Sequence, residues 1–88
     1  MLGDKKFEAM CARIIQLLRE ERERRKLSKY LLAQRSGLSP QMIGYVERGI
    51  KKPSLETILR IAEAMEIDLG TALTQARKEI LESEIRRK

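Results

Sequence analysis

The stretch LSKYLLAQRSGLSPQMIGYVERGIKKPS, residues 27–54, decides the fold, because its punctuation divides it into two short helices joined by a tight turn. Ser28 is a favourable N-cap for Lys29-Tyr30-Leu31-Leu32-Ala33-Gln34, and Gly37 sits where a chain leaving that helix needs positive φ. Ser39 followed by Pro40 starts a helix again. The serine oxygen accepts from free backbone amides, and proline is preorganised for the first helical position, where no N–H is needed. Gly49 ends this second helix after Pro40 to Arg48. Pro53-Ser54 opens another, with Ser54 as N-cap to Leu55-Glu56-Thr57-Ile58-Leu59. Two helices hinged at a glycine-containing turn form a helix-turn-helix.

Helical periodicity continues on both sides, with no strand pattern. Upstream, Asp4 is a candidate cap and Phe7, Met10, Cys11, Ile14, Leu17 and Leu18 recur at helical spacing up to about Arg25. The basic end of this helix, Arg22, Arg24, Arg25 and Lys26, suits the negative pole of the helix dipole. Downstream, Leu55, Ile58, Leu59, Ala62 and Met65 share one face of a fourth helix that is expected to close the core, with Ile67 and Leu69 extending the set. Asp68 is a candidate cap for a fifth helix carrying Leu73, Ala76, Ile80, Leu81 and Ile85. That stripe is longer than a compact core needs, so it either pairs with another chain or lies partly exposed at a frayed terminus. The reading is all-α, a compact five-helix domain with the helix-turn-helix at helices two and three. Residues 1–69 form the helix-turn-helix unit, and residues 70–88 form a C-terminal helix that extends the same domain for dimerisation.

Composition narrows the function classes. The chain has 88 residues, enough for one small domain with a modest core, which favours association with a second copy. Nineteen Lys and Arg against thirteen Asp and Glu give a net charge of +6, which favours a polyanionic partner. There is no histidine and a single cysteine, so an internal disulfide is impossible and the usual zinc, acid–base and nucleophile-activating sets lack a member. An enzyme, a metal site and a cofactor are therefore not expected. Cys11 is read as a packing residue beside Phe7, Ile14 and Leu18. No apolar run has membrane-spanning length and no export signal opens the chain, so the expectation is no membrane partner and a cytoplasmic address.

Leu27-Ser28, Leu32-Ala33, Gly37-Leu38-Ser39, Ile43, Glu47-Arg48-Gly49, Pro53-Ser54-Leu55 and Ile61-Ala62 resemble the Cro and lambda-repressor type of helix-turn-helix, also called the xenobiotic-response-element family, over about Leu17 to Leu69. The resemblance implies a five-helix, bacterial or phage-encoded transcription regulator. It makes Ser28 to Ser36 the positioning helix and Ser39 to Arg48 the recognition helix. It also implies that Arg22 and Glu47 form a partly buried ion pair tying helix one to helix three. Two departures stand out: Gly44, where a polar residue is usual, and Glu66, in a turn where many relatives have glycine and where positive φ would strain any other residue.

On this reading, base contacts fall to Gln41, Met42, Tyr45, Pro40 and Gly44. Gln41 leads, because an amide that donates and accepts at once matches the N6 and N7 edge of adenine. Met42 and Tyr45 offer apolar contact to thymine methyls, with Met42 as core filler and the Tyr45 hydroxyl on a phosphate as the alternatives. Gly44 would allow close approach to the groove floor. Phosphate contacts fall to Lys29, Ser28, Ser39, Arg48, Lys51 and Lys52, aided by the amides at the start of helix two. The dimer interface is assigned to Leu73, Ala76, Ile80 and Leu81.

The function expected is a sequence-specific, double-stranded-DNA-binding transcriptional regulator, a small repressor or restriction-modification type controller. It would act as a homodimer on a pseudopalindromic operator and require no small-molecule ligand. The alternative is an antitoxin-like or antirepressor module whose C-terminal helix binds another protein.

Overall fold

The computed structural model describes residues 2–86, and among these there are five α-helices and no strand: α1 Leu2–Arg24, α2 Lys29–Ser36, α3 Pro40–Glu47, α4 Leu55–Ala64 and α5 Leu69–Arg86. The last two residues of the 70–88 segment lie outside this description.

Three serines start three helices in the same way. Ser28, Ser39 and Ser54 are extended at φ −71, −80 and −72°, and each hydroxyl oxygen accepts from the amide three residues on, Leu31, Met42 and Thr57. Each cap is typically worth about 1 kcal/mol. Asp68 holds the start of α5: its Oδ1 accepts from the Gly70 amide at 3.1 Å and its Oδ2 from the Thr71 hydroxyl at 2.9 Å. α1 begins at Leu2, so position 4 lies inside the helix and not at its N-cap. α3 ends at Glu47, with Arg48 as its C-cap at φ −88°.

Helix ends are closed by left-handed residues. Gly37 (φ 78°) ends α2 as its amide donates to the Ala33 carbonyl at 2.9 Å. Gly49 (φ 73°) follows α3, with Ile50 N donating to Tyr45 O at 2.9 Å. The same six-to-one closure occurs at Lys26 and Glu66, both at φ 55°, where Leu27 N donates to Arg22 O and Ile67 N to Ala62 O. Glu66 thus takes the conformation that favours glycine, at a steric cost of about 1 kcal/mol. Arg25 Nη1 donates to the carbonyl of Met65, the residue before it, and so ties the end of α1 to the end of α4.

The core gathers Ile14 and Leu18 of α1, Leu27, Leu32 and Ala33 around α2, Ile43 and Val46 of α3, Ile61 and Ala62 of α4 with its C-cap Met65, and Leu69, Ala72 and Ala76 of α5. Leu32, Ile43, Val46 and Met65 are the largest fully buried side chains, so all three central helices are clamped from within. α1 and α5 run antiparallel, with Arg13 paired to Glu79 through Nε–Oε2 at 2.9 Å and Nη2–Oε1 at 3.2 Å. The Arg13 guanidinium donates to the Glu79 carboxylate and attracts it, which holds that carboxyl below its usual range.

Three expectations need correction. Ala76 is completely buried within the chain, against the α1 side of the core, and is unavailable to a second copy. Of the other residues assigned to a dimer interface, Leu73 is 47 % exposed and Ile80 and Leu81 are half-buried. Cys11 and Phe7 are exposed and do not pack with Ile14 and Leu18. Leu55 and Leu59 are 68 % and 41 % exposed. α4 packs on α2, α1 and α5 but not on α3; Ile58 reaches the core while Leu55 and Leu59 stay on its uncovered side.

Candidate nucleic-acid interface

α3 divides cleanly into two sides. Ile43 and Val46 face the core, and Met42 is half-buried and packed against it, so Met42 is a packing residue first. Gln41 and Arg48 are exposed, and Tyr45, one turn from Gln41, is half-buried. Pro40 occupies the first helical position and is half-buried.

These outward side chains touch one another. Gln41 Nε2 donates to the Tyr45 hydroxyl oxygen. The Tyr45 ring carries two cations, with the Arg48 guanidinium carbon 5.7 Å and the Lys51 ammonium 5.2 Å from its centroid. Gly44 is buried because the Arg48 side chain lies over it: a β-carbon added there would stand 3.3 Å from Arg48 Nη1. The missing side chain at Gly44 therefore makes room for the protein's own arginine, and the surface that would approach a groove floor is that guanidinium.

Cationic and polar groups flank this face. Lys29 is half-buried in the first turn of α2, and Lys51 and Lys52 are exposed in the loop after α3. Ser28 and Ser39 use their oxygens as helix caps, which leaves each hydroxyl proton free to donate outward. Tyr30, which the sequence did not single out, is 77 % exposed on α2 beside Lys29.

Behind the face lies one buried ion pair. Arg22 Nε and Nη2 donate to the two Glu47 carboxylate oxygens at 2.7 and 2.9 Å, and Arg22 Nη1 donates to the Leu27 carbonyl at 2.8 Å. The side chains are 10 % and 7 % exposed. The hydrogen bond to Glu47 raises the Arg22 pKa against the opposing effect of burial, so the guanidinium stays charged. One residue thus joins the end of α1, the approach to α2 and the end of α3. The rest of the basic cluster divides: Arg24 and Arg25 pair with Glu21, and Arg25 also reaches Met65 O.

The connection from α2 to α3 is braced from α4. Arg60 Nη1 donates to the Ser36 carbonyl at 3.3 Å and sits 3.0 Å from where a β-carbon on Gly37 would be. The φ of 78° disfavours a side chain at this turn, and a β-carbon there would also make the flexible end of Arg60 shift.

The family described as helix-turn-helix matches residues 18–71. The chain belongs to this family, the Cro/C1-type helix-turn-helix proteins. An uncharacterized HTH-type transcriptional regulator of Sinorhizobium fredii is 37 % identical over 73 residues, covering 80 % of this chain and 37 % of the relative. Two uncharacterized HTH-type transcriptional regulators of Mycobacterium tuberculosis are each 36 % identical over 59 residues, covering 67 % of this chain and 42 % of the relative. The chain thus spans about two fifths of the length of these curated relatives. No solved structure matches. Among the described residues no helix is long and apolar enough to cross a membrane.

Proposed function

We propose that this protein is a sequence-specific double-stranded-DNA-binding regulator that inserts α3 into the major groove as a homodimer on a pseudopalindromic operator. It regulates by occupancy, as a small repressor or restriction-modification type controller does. The observation that carries this reading is the outward face of α3, where an exposed amide, Gln41, stands beside a tyrosine flanked by two cations. An amide matches a base edge, and cations match the phosphates on either side. The dimer reading rests on the apolar residues left uncovered along the paired helices, Phe7 at 60 %, Leu73 at 47 % and Ile85 at 71 % exposure. In such a dimer the two recognition helices stand about 34 Å apart, one turn of DNA.

Selection of bound duplexes from a random pool tests this. The expected product is a palindrome with half-sites about one helical turn apart. Gln41→Ala then loses about 1 to 3 kcal/mol of discrimination at one base pair per half-site. Lys29→Gln flattens the dependence of log affinity on log salt by about 0.9, as loss of one phosphate contact requires. A pool that yields no enriched duplex refutes the reading. Leu73→Lys, at an exposed position, tests dimerisation by sedimentation without removing core residues. A monomeric variant with weakened operator binding supports the homodimer. An unchanged dimer that no longer retains a heterologous protein supports an antitoxin-like module.

A further inference from the structure

We propose that Tyr45 is a positioning residue that couples docking on the phosphate backbone to base reading, by fixing which way round the Gln41 amide points. The inference rests on the DNA-binding reading above and adds a residue that sets its specificity.

The argument starts from hydrogen-bonding capacity. A glutamine amide has one carbonyl oxygen and two N–H donors, and reading adenine in the major groove needs the oxygen on N6–H and the N–H beside it on N7. The other N–H is left over. In the free protein one Gln41 N–H is given to the Tyr45 hydroxyl oxygen, from one turn further along α3. If that is the spare one, the internal bond leaves the whole adenine-reading edge available.

A tyrosine hydroxyl by itself does not fix an amide, since it donates as readily as it accepts. The neighbouring charges decide the matter. Arg48 and Lys51, 5.7 and 5.2 Å from the ring centroid, draw a DNA phosphate to the vicinity of Tyr45. A phosphate oxygen only accepts, so a hydroxyl bonded to it must donate its single proton there. Its lone pair is then the only thing left for Gln41, which must present N–H and keep its carbonyl turned to the base. Contact with the backbone thereby selects the adenine-reading orientation. The flipped amide would point its N–H groups at guanine O6, which the adenine-reading orientation meets with a carbonyl. Without the hydroxyl, the flipped orientation also becomes accessible and adenine's advantage over guanine narrows.

The test uses Tyr45→Phe, which removes one oxygen from a half-buried ring and keeps its packing. The probe is the duplex recovered from the random pool, together with the same duplex carrying guanine at the adenine whose recognition Gln41→Ala abolishes. The parent protein is expected to prefer adenine by about five- to hundredfold. Tyr45→Phe is expected to bring that preference below about threefold, with the salt slope unchanged because no cation is lost. In the Gln41→Ala background the same substitution is expected to leave the ratio where it is. Equal weakening on both duplexes, the signature of a plain phosphate anchor, overturns the proposal, as does an unaltered ratio. A second measurement needs no DNA. In the nitrogen-15 spectrum of the free protein, Tyr45→Phe should move the Gln41 side-chain amide proton resonances, and unmoved resonances refute the internal bond. Failure to recover any duplex instead overturns the DNA-binding reading, and the amide spectrum keeps the two failures apart.

Discussion

Replacing Glu47 by alanine is expected to lower the melting temperature more than any exposed substitution in the chain. The Arg22 guanidinium gives two N–H groups to Glu47 and a third to the Leu27 carbonyl, in a setting where the paired side chains are 10 % and 7 % exposed. Alanine removes both carboxylate acceptors and leaves the positive charge with one carbonyl. Water reaches the site poorly, so its replacement of the lost bonds is incomplete. Stranding one partner of a buried pair costs about 3 to 5 kcal/mol. In a domain of this size each kcal/mol moves the midpoint by roughly 4 to 8 °C, so a drop of about 12 to 40 °C is expected by circular dichroism. Glu47→Gln keeps one acceptor and should fall between the parent and Glu47→Ala. The double variant Arg22→Met with Glu47→Leu removes the charge along with its partner and should melt well above Glu47→Ala, since an apolar pair of similar volume is often as stable as a buried ion pair. A Glu47→Ala midpoint within about 3 °C of the parent would refute the reasoning, because it would mean that the pair is solvated like a surface bridge.

Gly44→Ala replaces a mid-helix glycine and should raise stability by about 1 kcal/mol in a thermal melt, the only steric demand being that the flexible end of Arg48 shift from its 3.3 Å position. The same variant should weaken DNA binding by dislodging that guanidinium, and unchanged affinity would separate Arg48 from the interface. Acid should destabilise the fold in part through Glu79. The hydrogen bond from Arg13 lowers its pKa in the folded state, so its contribution is present above the usual carboxylate value near 4.5 and is lost as pH falls through the folded value. Glu79→Gln should therefore flatten the plot of midpoint against pH below about 4.5, and an unaltered curve would count against the pairing.

What could be read from the sequence was what is local. The serine caps at Ser28, Ser39 and Ser54 and the stop at Gly37 involve residues within one turn of each other, and their chemistry points to one arrangement. The strain at Glu66 was visible only through the resemblance, since nothing in the surrounding residues marks that turn as left-handed. Periodicity identified the apolar stripes but not how far neighbouring helices cover them, which is why Leu55, Phe7 and Cys11 were expected inside and Ala76 outside. Contacts between distant segments left no local signal: Arg13 with Glu79, Arg60 with the Ser36 carbonyl, Arg25 with Met65. The bond from Gln41 to Tyr45 and the cover of Gly44 by Arg48 are different. Both join residues four apart on one helix, so the spacing that carries such contacts was present.

The split of α3 into an inner set, Ile43, Val46 and Glu47, and an outer set, Gln41, Tyr45 and Arg48, gives the protein two nearly independent alphabets. The inner letters spell the scaffold and tolerate little rewriting. On the proposed function, the outer ones lie off the core, so an engineer or a lineage could exchange them to address new operators while the same architecture carries each message.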